Sequence, residues 1–331
     1  MNNVCVIGTT GQDGSYLSEY LLKLGYCVFG VARRCGHDNT ENIKDILDHP
    51  KFTLIEGDVT DYSSMLNLIK EYYPHFIFNL SAQSHVGVSF NQPLYTLNVN
   101  GQGVINLLEI IKFLQTKSYK PRFLQCSTSE LFGDQYDVDK GVKYQDENTK
   151  MNPQSPYAIA KLVAYHAVKL YRKSYGIFAC NSIMYNHESE RRGKQFLTKK
   201  VAEYVGQLYH NPTNYTKLRL GNLLAYRDWG YSPEYVQVML KMLQQDKPDD
   251  YVVGTGESYS VKEFVQEAFN CINLNYEDYV EINKNFIRPS EVPYLQCRAT
   301  KAKQVLEFNP QVKFKELVKI MVQHEIDHYT N

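Results

Sequence analysis

The chain has 331 residues, 43% of them hydrophobic, with 36 basic and 36 acidic side chains and a net charge of zero. That length buries a large core and is expected to divide into two domains, while neutrality offers no electrostatic footprint for nucleic acid and no apolar run approaches a membrane span. Seven cysteines, without a Cys-x-x-Cys pair or a Cys/His spacing suited to zinc, point to a reducing cytoplasm and to no bound metal.

From its first residues the sequence runs into a strand over 4–7, which leaves no room for a signal peptide. Gly8-Thr9-Thr10-Gly11-Gln12-Asp13-Gly14 follows at once and leads into an amphipathic helix expected over 16–24. Glycines at 8, 11 and 14 permit a tight turn, close approach to a pyrophosphate and close packing of helix on strand. A glycine triplet alone is a weak signal. Strand before and helix after favour a dinucleotide-binding turn over a merely structural one.

The strand over 27–32 ends in Arg33-Arg34, where cofactor choice is made. An acidic residue there would accept from a ribose hydroxyl, whereas arginine accommodates a 2′-phosphate, so NADP is favoured over NAD. Two solvated surface arginines are the plainer reading. A strand over 52–56 then delivers Asp58 and Val59, with a helix reaching Tyr72, and a strand over 75–80 delivers Leu80, Ala82, Ser84 and His85. Strands alternating with helices, small and polar residues at the strand ends, predict an α/β, Rossmann-type doubly wound parallel sheet. Asp58 and Val59 are expected at the adenine, and Leu80, Ala82 and Ser84 along the cofactor, with Ser84 also near the sugar. His85 has no suitably spaced partner ligands and reads as structural.

A helix over 95–114 and another over 157–171 are apolar on more than one face. Such helices need two partners, so a homodimer or homotetramer with both helices at one interface is expected.

Between them lies the stretch with the clearest chemistry. Ser127-Thr128-Ser129-Glu130 follows the apolar run over 123–126, placing hydroxyls and one carboxylate at a strand end. Ser155 is a plausible N-cap and Pro156 a first-turn residue, so Tyr157 and Lys161 fall one turn apart on the same helix face. A free tyrosine ionises near pH 10, about 4 kcal/mol from neutrality, and a cation held at about 4 Å offsets much of that. Tyr157 is thereby a candidate general base, more so beside a positively charged nicotinamide. With 27 tyrosines, the same spacing also arises at Tyr136/Lys140 and Tyr165/Lys169. Only Tyr157 stands at a capped helix start downstream of a cofactor fingerprint.

After a strand over 178–184 comes the polar run Tyr185-Asn186-His187-Glu188-Ser189-Glu190-Arg191-Arg192-Gly193. Helices are then expected over 195–209, 233–245, 261–272 and 314–329, with one short strand near Leu218. Few strands, and arginines at element junctions, suit a smaller α/β lid-like domain whose cations meet a nucleotide diphosphate. The expected division is 1–186 for the NADP-binding domain and 187–331 for the substrate domain, with part of 222–247 packing back on the first.

These motifs, with Ala82-Gln83-Ser84-His85-Val86, Arg227-Asp228-Trp229-Gly230 and Arg288-Pro289-Ser290-Glu291, resemble in their order the GDP-mannose 4,6-dehydratase family of extended short-chain dehydrogenases/reductases. The resemblance spans nearly the whole chain. It implies Thr128, Glu130, Tyr157 and Lys161 as catalytic residues, and contacts to NADP from the fingerprint, Arg33, Arg34, Tyr95, Lys161, His187 and Arg192. It implies Asn186, Lys200, Arg227, Arg288 and Glu291 at the GDP-sugar. The implied reaction oxidises carbon 4 of GDP-mannose, eliminates water across carbons 5 and 6 and reduces carbon 6. Glu190, Leu224, Tyr226, Cys297 and Arg298 depart from the family pattern. An epimerase or reductase of the same superfamily would need Tyr157 and Lys161 without a base at Glu130, and a silent NADP-binding regulator would need none of the four.

Overall fold

The computed structural model describes residues 3–213, 216–286 and 288–329. The first part alternates strand and helix: β1 (Asn3–Ile7), α1 (Gln12–Lys23), β2 (Cys27–Ala32), β3 (Phe52–Glu56), α2 (Tyr62–Tyr72) and β4 (Phe76–Asn79). Short helices α3 (Val86–Asn91) and α4 (Pro93–Leu97) precede α5 (Gly103–Leu114) and β5 (Arg122–Thr128). A hairpin of β6 (Asp137–Asp139) and β7 (Val142–Tyr144) comes before α6 (Pro156–Tyr175) and β8 (Phe178–Met184).

The remainder mixes short strands with helices: β9 (Asn186–Glu188), α7 (Leu197–His210), β10 (Leu218–Leu220), β11 (Tyr226–Arg227), β12 (Trp229–Tyr231) and α8 (Ser232–Gln244). Then come β13 (Asp250–Val253), β14 (Tyr259–Ser260), α9 (Val261–Asn270), β15 (Val280–Ile282), α10 (Thr300–Val305) and α11 (Phe314–Asp327).

Seven strands form one parallel sheet in the order β13-β8-β5-β4-β1-β2-β3. Its central strands β1 and β4 are covered on both faces and are accordingly near-continuous apolar runs, Val4-Cys5-Val6-Ile7 and Phe76-Ile77-Phe78. Helices α1 and α8 cover one face and α2, α5 and α6 the other, each closing its own core. A separate core joins α7, α9 and α11 around Trp229 and Phe264.

Three sequence expectations need correction. Helix α1 begins at Gln12, inside the fingerprint, not at residue 16. The helix expected over 95–114 is two helices joined by a π-helical turn, Asn98–Gln102. There buried Asn100 accepts from the Gln83 amide (2.8 Å) and donates to its carbonyl (2.9 Å), tying the turn to the loop after β4. Strand β13 was not anticipated, because Asp250 heads it; Arg172 (2.5 Å) and Asn181 (2.8 Å) both donate to that carboxylate. With α8 packed on α1 and β13 in the main sheet, residues 232–253 are built into the first half of the molecule.

Candidate active site

Strand order reverses at β1, whose neighbours are β4 and β2, and open α/β sheets bind ligands in the crevice at such a point. The fingerprint occupies it. Gly8 has φ of +90°, and a Cβ there would stand 3.0 Å from the backbone of Leu80 and Ser81. A Cβ on Gly14 would stand 2.1 Å from the Gly8 carbonyl oxygen, so helix α1 leaves the turn as tightly as backbone contact allows. This cradle fits a dinucleotide pyrophosphate laid on the α1 N-terminus.

From that crevice a cleft of about 540 Å³ runs across the carboxyl ends of β4, β5 and β8 to the C-terminal segments. It gathers Asp13, Leu80, Ala82, Ser84, Thr128, Glu130, Tyr157, Lys161, Asn186, His187, Arg192, Lys200, Arg227, Arg288 and Glu291. Arg33, Arg34, Asp58, Val59 and Tyr95 lie outside its lining. Arg33 donates to the Tyr95 hydroxyl, joining the end of β2 to α4, and Asp58 accepts from the Thr60 amide (2.9 Å) and hydroxyl (2.8 Å). Cys126, Phe196, Arg219 and Phe286 line the cleft without having been singled out. Phe286 stands two residues before Arg288, and that adjacency was its one signal.

Helix α6 starts as expected: the Ser155 hydroxyl accepts from the Ala158 amide at 3.1 Å, and Pro156 opens the first turn. That delivers Tyr157 (8% exposed) and, one turn on, Lys161 (3% exposed) to the end of β5. Thr128 caps a single 3₁₀ turn, Ser129–Leu131, by accepting from the Glu130 amide at 3.2 Å, which turns Glu130 into the cleft. Thr128 works to lower the pKa of the Tyr157 phenol, against the larger effect of burial.

Lys161 gives a hydrogen bond to the backbone beside Tyr157. Its Nζ donates to the Cys126 carbonyl at 2.8 Å and stands 5.9 Å from the centre of the Tyr157 ring. Burial is the dominant influence on both, pushing the phenol up and the ammonium down. Glu130 adds to the rise and Arg192 opposes it.

At the far end the buried Arg227 donates through Nη1 to the carbonyls of Tyr226 and Val292, both at 2.8 Å. Its neighbour Asp228 turns away from the cleft and accepts from the Thr255 amide (2.9 Å) and hydroxyl (2.7 Å) and the Gly256 amide (2.9 Å). Glu291 accepts from the Arg288 amide at 3.2 Å, and Lys200 reaches the Arg219 carbonyl at 2.8 Å with its ammonium 4.8 Å from the Phe286 ring centre. Fixed cations, an aromatic ring and carboxylates at this end make a receptor for a polar, anionic ligand. The opposite end holds Thr128, Glu130, Tyr157 and Lys161.

This sheet and site define an extended short-chain dehydrogenase/reductase. The GDP-mannose 4,6 dehydratase family model matches residues 5–321. GDP-mannose 4,6 dehydratase 2 of Arabidopsis thaliana is 44% identical over 329 residues, covering 97% of this chain and 86% of the relative. The Homo sapiens GDP-mannose 4,6 dehydratase is 40% identical over 349 residues, covering 98% and 92%. Among solved structures, dTDP-glucose 4,6-dehydratase of Bacillus anthracis in complex with NAD superposes with a TM-score of 0.84 at 22% identity, covering 99% of this chain and 97% of that one. The chain belongs to the GDP-mannose 4,6-dehydratase family.

Proposed function

We propose that the chain converts GDP-mannose to GDP-4-dehydro-6-deoxy-D-mannose and water, as its family's name describes, with Thr128, Glu130, Tyr157 and Lys161 doing the chemistry. A nicotinamide bound at the crevice supplies the acceptor and donor of hydride. Tyr157, as phenolate, takes the proton from the hydroxyl on carbon 4, and Thr128 hydrogen-bonds the same oxygen. The ketone formed there acidifies carbon 5, and Glu130 removes that proton and passes it to the hydroxyl leaving carbon 6, which departs as water. Glu130, reprotonated from solvent, then gives a proton to carbon 5. Lys161, anchored to the Cys126 carbonyl, orients the nicotinamide ribose.

The observation carrying this reading is Glu130 in the cleft within electrostatic reach of both Tyr157 and Arg227. An epimerase has no use for a carboxylate there. Asn186, Lys200, Arg227, Arg288 and Glu291, with Ser84, would hold the GDP-sugar. Arg33 and Arg34 favour NADP over NAD, with the rest of the cofactor on Gly8 to Gly14, Asp58, Val59, Leu80, Ala82, Ser84, Tyr95, His187 and Arg192.

We also read the chain as 1–186 for cofactor and 187–331 for substrate, the second part interleaved with the first. A homodimer or homotetramer is supported by exposed apolar side chains on α4, α5 and α6: Leu94 (81% exposed), Phe113 (71%), Leu170 and Ile159. A cytoplasmic setting fits seven cysteines that are all unpaired. The product would feed GDP-fucose or related deoxysugars. Incubating the purified protein with GDP-mannose tests the reading: a 4-keto-6-deoxy product lighter by one water is expected, and recovery of an epimer instead would refute it.

A further inference from the structure

Asp13 and His187 enter the sequence reading as separate cofactor contacts, 174 positions apart. The structure turns them on each other: His187 Nε2 lies 2.8 Å from Asp13 Oδ2. The other carboxylate oxygen, Oδ1, accepts from the Ser232 hydroxyl (2.7 Å) and from Gln12 Nε2 (3.1 Å). On the ring, Nδ1 lies 2.7 Å from the Tyr185 carbonyl oxygen. A carbonyl only accepts, so Nδ1 carries hydrogen, and a carboxylate facing Nε2 calls for hydrogen there too. Both nitrogens face acceptors, which is the arrangement of an imidazolium.

The place matters. Asp13 stands in the first turn of α1, where the helix end and glycine turn are built to receive a diphosphate. A bare carboxylate at that point would repel the ligand. We propose that Asp13 and His187 form one charge-compensated latch, in which the imidazolium is what lets a carboxylate stand beside the dinucleotide's diphosphate.

The inference rests on the reading of the turn as a dinucleotide site. Within the latch His187 acts through Asp13, because both its ring nitrogens are engaged by protein. The latch also joins three segments: α1 through Asp13, β9 through His187, and α8 through Ser232 and Tyr235, whose ring stacks on the imidazole at 4.8 Å. The groups facing the imidazole are Asp13 from α1, the Tyr185 carbonyl, the Tyr235 phenol from α8 and the charge of Arg192 from the following loop. Burial pulls the His187 pKa down, as does Arg192, but the Asp13 charge and hydrogen bond carry it above the usual value; burial likewise raises the Asp13 carboxyl, and His187 with the hydrogen bonds holds it well below the usual range. While the imidazolium persists, the pair is neutral overall. It becomes a net anion when pH rises through the His187 pKa.

Fluorescence titration of the full-length chain with NADPH, from about pH 6 to about pH 9.5, tests this. Wild type should bind at constant affinity in the lower range and lose on the order of tenfold as the imidazolium deprotonates. Asp13→Asn keeps the geometry, since its amide donates to a neutral Nε2 and its carbonyl accepts from Ser232, and its affinity should stay level over that range. Wild-type affinity that does not change with pH, or an Asp13→Asn profile that follows wild type, overturns the latch. Failure of wild type to bind NADPH at any pH refutes the dinucleotide reading itself, and the latch with it.

Discussion

The ammonium of Lys161 bonds the Cys126 carbonyl at 2.8 Å and faces the Tyr157 ring from 5.9 Å, so lysine and phenol share a pocket without an ion pair between them. Burial holds the phenol protonated, and a positively charged nicotinamide beside it would favour its ionisation. Nucleotide-free protein should therefore show no Tyr157 ionisation below about pH 10 in a tyrosinate absorbance titration referenced to Tyr157→Phe. Adding NADP should bring that ionisation to lower pH. A phenol that titrates early without nucleotide would contradict the assignment.

Tyr157→Phe should lose turnover by roughly a hundred- to ten-thousand-fold, the usual worth of a positioned base, while thermal stability stays near wild type. The ring packs and only the hydroxyl is removed. Kinetics and a melting curve on the same preparation separate the two.

Exchanging Arg33 and Arg34 for glutamine should weaken NADP by roughly ten- to a hundredfold, as expected for lost charge-assisted hydrogen bonds, and leave NAD little changed. Binding titrations with both nucleotides measure the ratio. Equal losses would put the 2′-phosphate elsewhere.

Gly14→Ala should be costly for a reason independent of chemistry. Its Cβ would meet the Gly8 oxygen at 2.1 Å, so either α1 or the turn has to shift. Overpacking of that kind costs about 1–3 kcal/mol, and both a lower melting temperature and lost nucleotide binding are expected.

Strands β2, β3 and β8 were readable to the residue because each is a short segment led by apolar and β-branched side chains between polar breaks. The start of α6 was readable because Ser155 and Pro156 act locally. What escaped depends on distant partners. Helix α1 begins at Gln12 because that side chain meets Ser189 (2.9 Å) and the His187 carbonyl (3.0 Å), contacts no local pattern encodes. Strand β13 opens on an aspartate whose carboxylate is made acceptable in a core by distant partners, Arg172 and Asn181 among them. At the site, Tyr157 and Lys161 stood out by their place at a capped helix start, while the roles expected of Thr128 and Glu130 came from the family resemblance. Arg219 and Phe286 sit in short segments without periodicity, and the orientation of Lys161 toward a backbone carbonyl has no trace in the sequence.

The dehydratase account stands on Glu130 as the base at carbon 5, and Glu130→Gln tests it with shape and hydrogen bonding kept. Oxidation at carbon 4 depends on Tyr157, Thr128 and Lys161, so adding GDP-mannose should still raise the absorbance of enzyme-bound reduced nicotinamide. Elimination depends on Glu130, so 4-keto-6-deoxy product and solvent deuterium at carbon 5 should fall together by roughly a hundred- to ten-thousand-fold. Product formation by Glu130→Gln at a near-normal rate would make Glu130 a structural carboxylate at a strand end and contradict the account.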